Sequence, residues 1–155
     1  MTEKVSNNLS RTFQTKLVLP QDTNHMGTIF GGVVLAHIDE IAGITAMRHC
    51  KSTVVTASMD TVNFVSSAVV GDILFLEASV ISTGRTSMEV YVKVETENLK
   101  TGQRTLTTNA ITTMVAIDEN KKSIPVLGII PETEEEKRLF AKAAERKKRR
   151  LSIQE

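Results

Sequence analysis

"NHMGTIFGGVVLAHIDEI", residues 24–41, decides the fold. A glycine-bearing turn leads into a segment whose apolar residues recur at helical spacing, with Val34, Leu35, Ile38, Ile41, Ala42 and Thr45 on one broad face. The spacing predicts a helix over residues 32–48, the one strong helix in the body of the chain. Inside it stands a carboxylate, Asp39. Burying such a group is costly unless something pairs with it or uses it.

Outward from this helix the chain reads as strands. Residues 11–19, "RTFQTKLVL", alternate as a first strand that Pro20 ends. Residues 53–65 are rich in β-branched side chains, and residues 73–82 set Leu74, Leu76, Ala78 and Val80 on one face. Residues 87–97 alternate most strictly, with Met88, Val90, Val92 and Val94 inward and Glu89, Lys93, Glu95 and Glu97 outward. After the hairpin turn "NLKTGQ", residues 104–118 form the last long strand. Short links demand antiparallel neighbours, because parallel ones need crossover helices. The sheet's apolar face must be covered, only the 32–48 helix is available, and the sheet should therefore curl around it. The expected class is α+β, with one domain over residues 11–130 and a charged helical tail over 131–155. In that tail "ETEEEKRLFAKAAERKKRR" runs from acidic to basic, as a helix dipole prefers, with Pro131 just before it. The basic run Arg146–Arg150 reads as a solvated helix end, a phosphate or nucleic-acid contact being the lesser alternative.

At 155 residues the chain suits one domain. With 24% charged residues and a net charge of +1, it lacks the basic excess of a nucleic-acid or membrane-surface binder, and neither partner is expected. No apolar run is long enough to span a bilayer, and the start lacks the apolar stretch of a signal peptide. The single cysteine, Cys50, fits a reducing compartment, so a cytoplasmic location is expected. Cys50 lies beside His49, but no nucleophile signature surrounds it, and it reads as a plain helix-end residue. His25, His37 and His49 lack zinc-site spacing and cysteine partners, so no metal is expected. His25 reads by default as a solvent-facing loop residue. No GxSxG elbow is present.

Asp39 has two readings. Of its helical neighbours Leu35, Ala36, Ala42 and Gly43, three are small, which makes a shallow patch where a ligand or another backbone can come close. Alternatively Asp39 and Glu40 mark a solvated edge. The turn before them favours the first reading: Gly27, Gly31 and Gly32 lead into a helix N-terminus, whose unpaired amides can polarise a carbonyl and hold a developing oxyanion.

The stretches 22–43 ("DTNHMGTIFGGVVLAHIDEIAG"), 54–64 ("VVTASMDTVNF"), 70–98 ("VGDILFLEASVISTGRTSMEVYVKVETEN") and 112–126 ("TTMVAIDENKKSIPV"), in that order, resemble the hotdog-fold acyl-CoA thioesterases of the YciA and cytosolic acyl-CoA hydrolase type. The resemblance covers about residues 11–138. It implies a hotdog fold and hydrolysis of acyl-CoA to CoA and a carboxylic acid, with no cofactor, since CoA belongs to the substrate. It places the helix carboxylate on Asp39, as general base or nucleophile, and the loop asparagine on Asn24, facing Asp39 of a neighbouring subunit. Amides near Gly31 and Gly32 would polarise the thioester, and Gly84, Arg85, Thr86 and Ser87 would contact CoA. Thr56, Ser58 and Asn63 are weaker candidates for the site wall. A homo-oligomer is implied, at least a dimer and in the family a trimer of dimers. The competing class is a hotdog module that binds acyl-CoA without hydrolysing it. Asp39 and Asn24 together favour the enzyme.

Overall fold

The computed structural model describes residues 3–153. The expected helix is α1, Gly31–Cys50, which starts from extended Phe30 and stops where Lys51 turns left-handed at φ 57°. Val34, Ile38, Ile41, Ala42 and Thr45 are buried as the periodicity predicts, and Ala46 and His49 extend the stripe; Leu35 is only half-buried.

The strands are β1 (Lys4–Ser6), β2 (Thr12–Leu17), β3 (Thr53–Phe64), β4 (Ile73–Thr83), β5 (Ser87–Glu97), β6 (Arg104–Ile117) and β7 (Gly128–Ile130). Five of them form an antiparallel sheet in the order β2-β4-β5-β6-β3. The alternation read in β4 and β5 holds. Leu74, Leu76, Ala78, Val80, Met88, Val90, Val92 and Val94 are all buried in one cluster with the inward residues of α1. The result is the α+β arrangement of a curled sheet around one helix. β1 and β7 add a small parallel pair, Lys4–Ser6 against Gly128–Ile130, that three-residue strands are too short to announce by periodicity.

β3 is an edge strand with two irregularities, where Ala57 and Asp60 have no partner in the register to β6. A bulge inserts an extra residue and turns the alternation over.

The tail differs from its expectation. It forms two helices, α2 (Glu134–Ala141) and α3 (Ala143–Ile153), and the first is capped by Thr133 rather than opened by Pro131. The Thr133 hydroxyl accepts from Glu136 N at 3.1 Å, while Glu136 accepts from Thr133 N at 3.1 Å. Arg11 holds Glu136 through both carboxylate oxygens, at 2.8 and 2.7 Å, and also meets Glu77 at 2.8 Å. The basic run is not simply a solvated end. Arg146 is buried and donates to Glu89 at 2.9 and 2.8 Å, and Arg150 donates to the same carboxylate at 2.7 Å. Glu89 does face away from α1, but α3 covers it, so it is 4% exposed instead of solvated. Lys147, Lys148 and Arg149 remain exposed. Among the described residues no helix is long and apolar enough to cross a membrane.

Candidate active site

In the single chain Asp39 is not buried. It lies on the open flank of α1 with Gly32, Ala36 and Glu40. Its Oδ1 accepts a 2.7 Å hydrogen bond from the Thr56 hydroxyl on β3. The same hydroxyl lies 3.5 Å from the Met114 sulfur, but it has one proton, and the carboxylate is the stronger acceptor. Asp39 Oδ2 has no hydrogen-bond partner among the described residues.

The loop before α1 is built around Asn24. Its side-chain oxygen accepts from Met26 N at 2.9 Å, Thr28 N at 3.3 Å and the Thr28 hydroxyl at 3.2 Å, so its amide group is the part left over. Gly27, at φ 76°, supplies the left-handed residue that closes this turn. Ile29 N then donates to Ala68 O at 2.8 Å and fastens the loop to the body. At the helix start, Val33 and Val34 bond back to Phe30 O, whereas the amides of Gly31 and Gly32 donate to no described residue. Two exposed rings flank them. A Cβ at Gly31 would sit 3.6 Å from the Phe64 ring, and one at Gly32 3.6 Å from that of Phe30. Free donors between apolar walls suit a carbonyl carried on an apolar chain. Neither ring stood out in the sequence, because Phe30 in a loop and Phe64 at the end of a strand are lone aromatics that carry no periodic signal.

Within one chain the amides and the carboxylate lie well apart along α1. Asp39 is eight residues past Gly31, about 12 Å along the helix at 1.5 Å per residue. A reacting carbonyl needs its oxygen about 3 Å from the donors and its carbon about 3–3.5 Å from the attacking atom. Among the described residues no hydrogen bond joins Asn24 to Asp39 either.

The Gly84–Ser87 turn closes through Gly84 N to Ser87 O at 2.9 Å. It is tied down where Thr86 O accepts from Ala116 N at 3.0 Å and Arg85 O from Val126 N at 2.9 Å. The Arg85 side chain is exposed and pairs with no described carboxylate. Of the three weaker candidates only Thr56 reaches Asp39. The Ala57 bulge turns Ser58 to the outer face opposite Thr113, and Asn63 also faces outward, where it donates to Asn109 at 2.8 Å. A hollow of 550 Å³ under α2, bounded by Tyr91, Ile111, Glu135 and Leu139, opens on that outer face, away from Asp39.

Burial pushes the Cys50 thiol up, which keeps it protonated and agrees with its reading as a helix-end residue. His49 is buried with Nε2 2.8 Å from Leu127 O, and His25 is exposed on its loop.

Residues 26–103 match the model of the Thioesterase superfamily. YkhA of Bacillus subtilis, an uncharacterized acyl-CoA thioester hydrolase, is 46% identical over 137 residues, 88% of this chain and 80% of its own. The human cytosolic acyl coenzyme A thioester hydrolase is 36% identical over 80% of this chain, which spans only 33% of that protein. Among solved structures, an apo-hexameric acyl-CoA thioesterase superposes with TM-score 0.93 at 60% identity, covering 97% of each chain. The Staphylococcus aureus acyl-CoA hydrolase, solved with butyryl coenzyme A, coenzyme A and coenzyme A disulfide, gives 0.91 at 40% identity over 96% of this chain and 91% of its own. That hydrolase has also been solved with an asparagine, an aspartate or a threonine replaced by alanine, the three spaced along its chain as Asn24, Asp39 and Thr56 are here. A curled sheet around one helix, two free amides at that helix's start and a carboxylate on its open flank thus coincide with these likenesses, and the chain belongs to the hotdog-fold acyl-CoA thioesterases of the Thioesterase superfamily.

Proposed function

We propose that the chain hydrolyses acyl-CoA thioesters to free CoA and carboxylic acid, in a site that two copies complete. Asn24, Gly31 and Gly32 of one copy face Asp39 of the partner subunit. The observation that carries this is the pairing of a positioned carboxylate with two free helix amides about two turns away on the same helix, a gap that the facing helix of a second copy closes. β3 supports it. The strand that presents Thr56 to Asp39 is a twelve-residue sheet edge, and a long open edge is normally covered. The asparagine, aspartate and threonine probed in the Staphylococcus aureus hydrolase add support, as does the hexameric state of a 60% identical relative. The assembly proposed is a trimer of dimers, and the location the cytoplasm.

The thioester oxygen rests on the Gly31 and Gly32 amides, where negative charge develops as the carbon is attacked. Asp39 then works by one of two routes. It takes a proton from the attacking water, or it adds to the carbonyl carbon and forms a mixed anhydride that water opens. Either way the carbon–sulfur bond breaks and CoA leaves as the thiolate, which takes a proton from the protonated Asp39 in the first route and from solvent in the second. Thr56 fixes Oδ1 so that Oδ2 meets the reactant, and the spare amide of Asn24 donates to water or substrate. Arg85, with Gly84, Thr86 and Ser87, receives the CoA phosphates.

The test is release of free thiol across acetyl- to palmitoyl-CoA. Turnover is expected for the wild type, and Asp39→Asn should abolish it while CoA still binds. Wild-type protein that binds CoA but releases no thiol at any chain length would establish binding without hydrolysis.

A further inference from the structure

The basic C-terminal run has no part in the site above, yet two of its arginines reach the sheet directly behind it. Glu89 of β5 pairs with Thr113 of β6, and Thr113 with Ser58 of β3, so these residues form one row on the outer face. The adjacent inner row is Met88, Met114 and Thr56, also in register, and Thr56 holds Asp39. The outer row thus backs the contact that orients the carboxylate.

β3 is irregular between these rows, at Ala57, and again two residues beyond the outer one, at Asp60. Ala57 follows Thr56, and Asp60 follows Met59, each without a partner in the register. A bulged residue is left out of the ladder, so beyond its paired neighbours Met59 and Thr61 the side-chain contacts of Asp60 are what restrain it. Asp60 Oδ2 lies 3.4 Å from both the Thr113 hydroxyl and Arg150 Nη1. Arg150 is itself held by Glu89 at 2.7 Å, and Glu89 by Arg146. The side chains of Asp60 and Arg150 are 18% and 15% exposed.

We infer that α3 is a brace behind the reacting carboxylate: Arg150, anchored on Glu89, fixes Asp60 and the doubly bulged part of β3, so that Thr56 keeps its hydroxyl on Asp39. Arg150 and Asp60 are then positioning residues. The inference rests on the reading of Asp39 given above. A one-residue slip in a strand exchanges its faces, and here it would take Thr56 away from Asp39.

The test compares Arg150→Gln, Asp60→Asn and Thr56→Ala, alone and in pairs, in the full chain by thiol release. Arg150→Gln and Asp60→Asn should each lower kcat on the order of tenfold, with KM held within about twofold. In the Thr56→Ala background the same changes should move kcat by less than about twofold, because the group they position is gone. Arg150→Lys should recover most of the loss. Wild-type kcat in both single variants would overturn the brace. So would an equal loss with and without Thr56, or a change confined to KM. If Arg150→Gln fails to fold, Asp60→Asn makes the same comparison with both arginines still on Glu89. An active Asp39→Asn enzyme would remove the site reading itself; an inactive one alongside fully active Arg150→Gln and Asp60→Asn would remove only the brace.

Discussion

Replacing Arg146 with Met should destabilise the protein through the charge it leaves behind. Arg146 places two hydrogen bonds on Glu89, and the two side chains are 8% and 4% exposed. Removing one partner of a buried ion pair costs about 3–5 kcal/mol. Here Arg150 stays on the second carboxylate oxygen at 2.7 Å, which lowers the expected loss to roughly 2–3 kcal/mol. For a chain of this length that is a fall in Tm of about 5–10 °C. The pH dependence has a definite sign. Burial pushes the Glu89 carboxyl up, but hydrogen bonds from Arg146 and Ser82 and the charges of Arg146 and Arg150 outweigh it and hold the group below the ordinary value of 4.5. Its contribution is therefore present above pH 4.5 and is lost as pH falls through the folded value, so the gap between wild type and variant should close on acidification. Thermal melts at neutral and acidic pH, with light scattering to track assembly, measure this. A second variant, Arg146→Met with Glu89→Leu, removes the buried pair and leaves Arg150, 15% exposed, to water and to Asp60 at 3.4 Å; it should recover part of the loss, because an apolar replacement of a buried pair is nearly neutral. A Tm unchanged in Arg146→Met, or a double variant as unstable as the single one, would refute the reasoning.

Three further outcomes are expected. Gly31→Pro should fold normally, since Gly31 opens α1 after extended Phe30 and its amide is unbonded in the fold; kcat should fall about 10²–10³-fold if that amide is an oxyanion donor, and a stable, fully active variant would exclude it. Asn24→Asp keeps the oxygen that organises the loop but loses the amide donor, so its melt should match wild type while turnover collapses, whereas Asn24→Ala should lose both. Gly84→Ala places a Cβ 2.7 Å from Ser87 Oγ and should cost about 1 kcal/mol while raising KM more than it lowers kcat.

Most of the fold was legible because its signals are local. β5 matches residues 87–97 to the residue because strict alternation with a turn at each end leaves one reading. The buried face of α1 follows from spacing in the same way. What stayed hidden was what one element does to another. Period-two alternation correctly turned Glu89 away from α1, but it says nothing of the helix that later covers it, nor of the arginines that helix brings. The bulge at Ala57 has no sequence signature either, and without it Thr56 and Ser58 share a face. Asp39 stood out because a carboxylate among small residues in an apolar helix is locally anomalous. Its partner on β3 is set by register, which only the folded sheet reveals.

The central claim, one site shared by two copies, is tested most directly by mixing two inactive variants. Asp39→Ala and Asn24→Ala chains should each be inactive alone. Co-expressed, about half of random dimers pair the two kinds, and each mixed dimer has one site with both residues intact, so activity should return to about a quarter of wild type. If Asp39 and Asn24 instead act within the same chain, no mixture contains an intact site, and activity stays at the level of the separate variants.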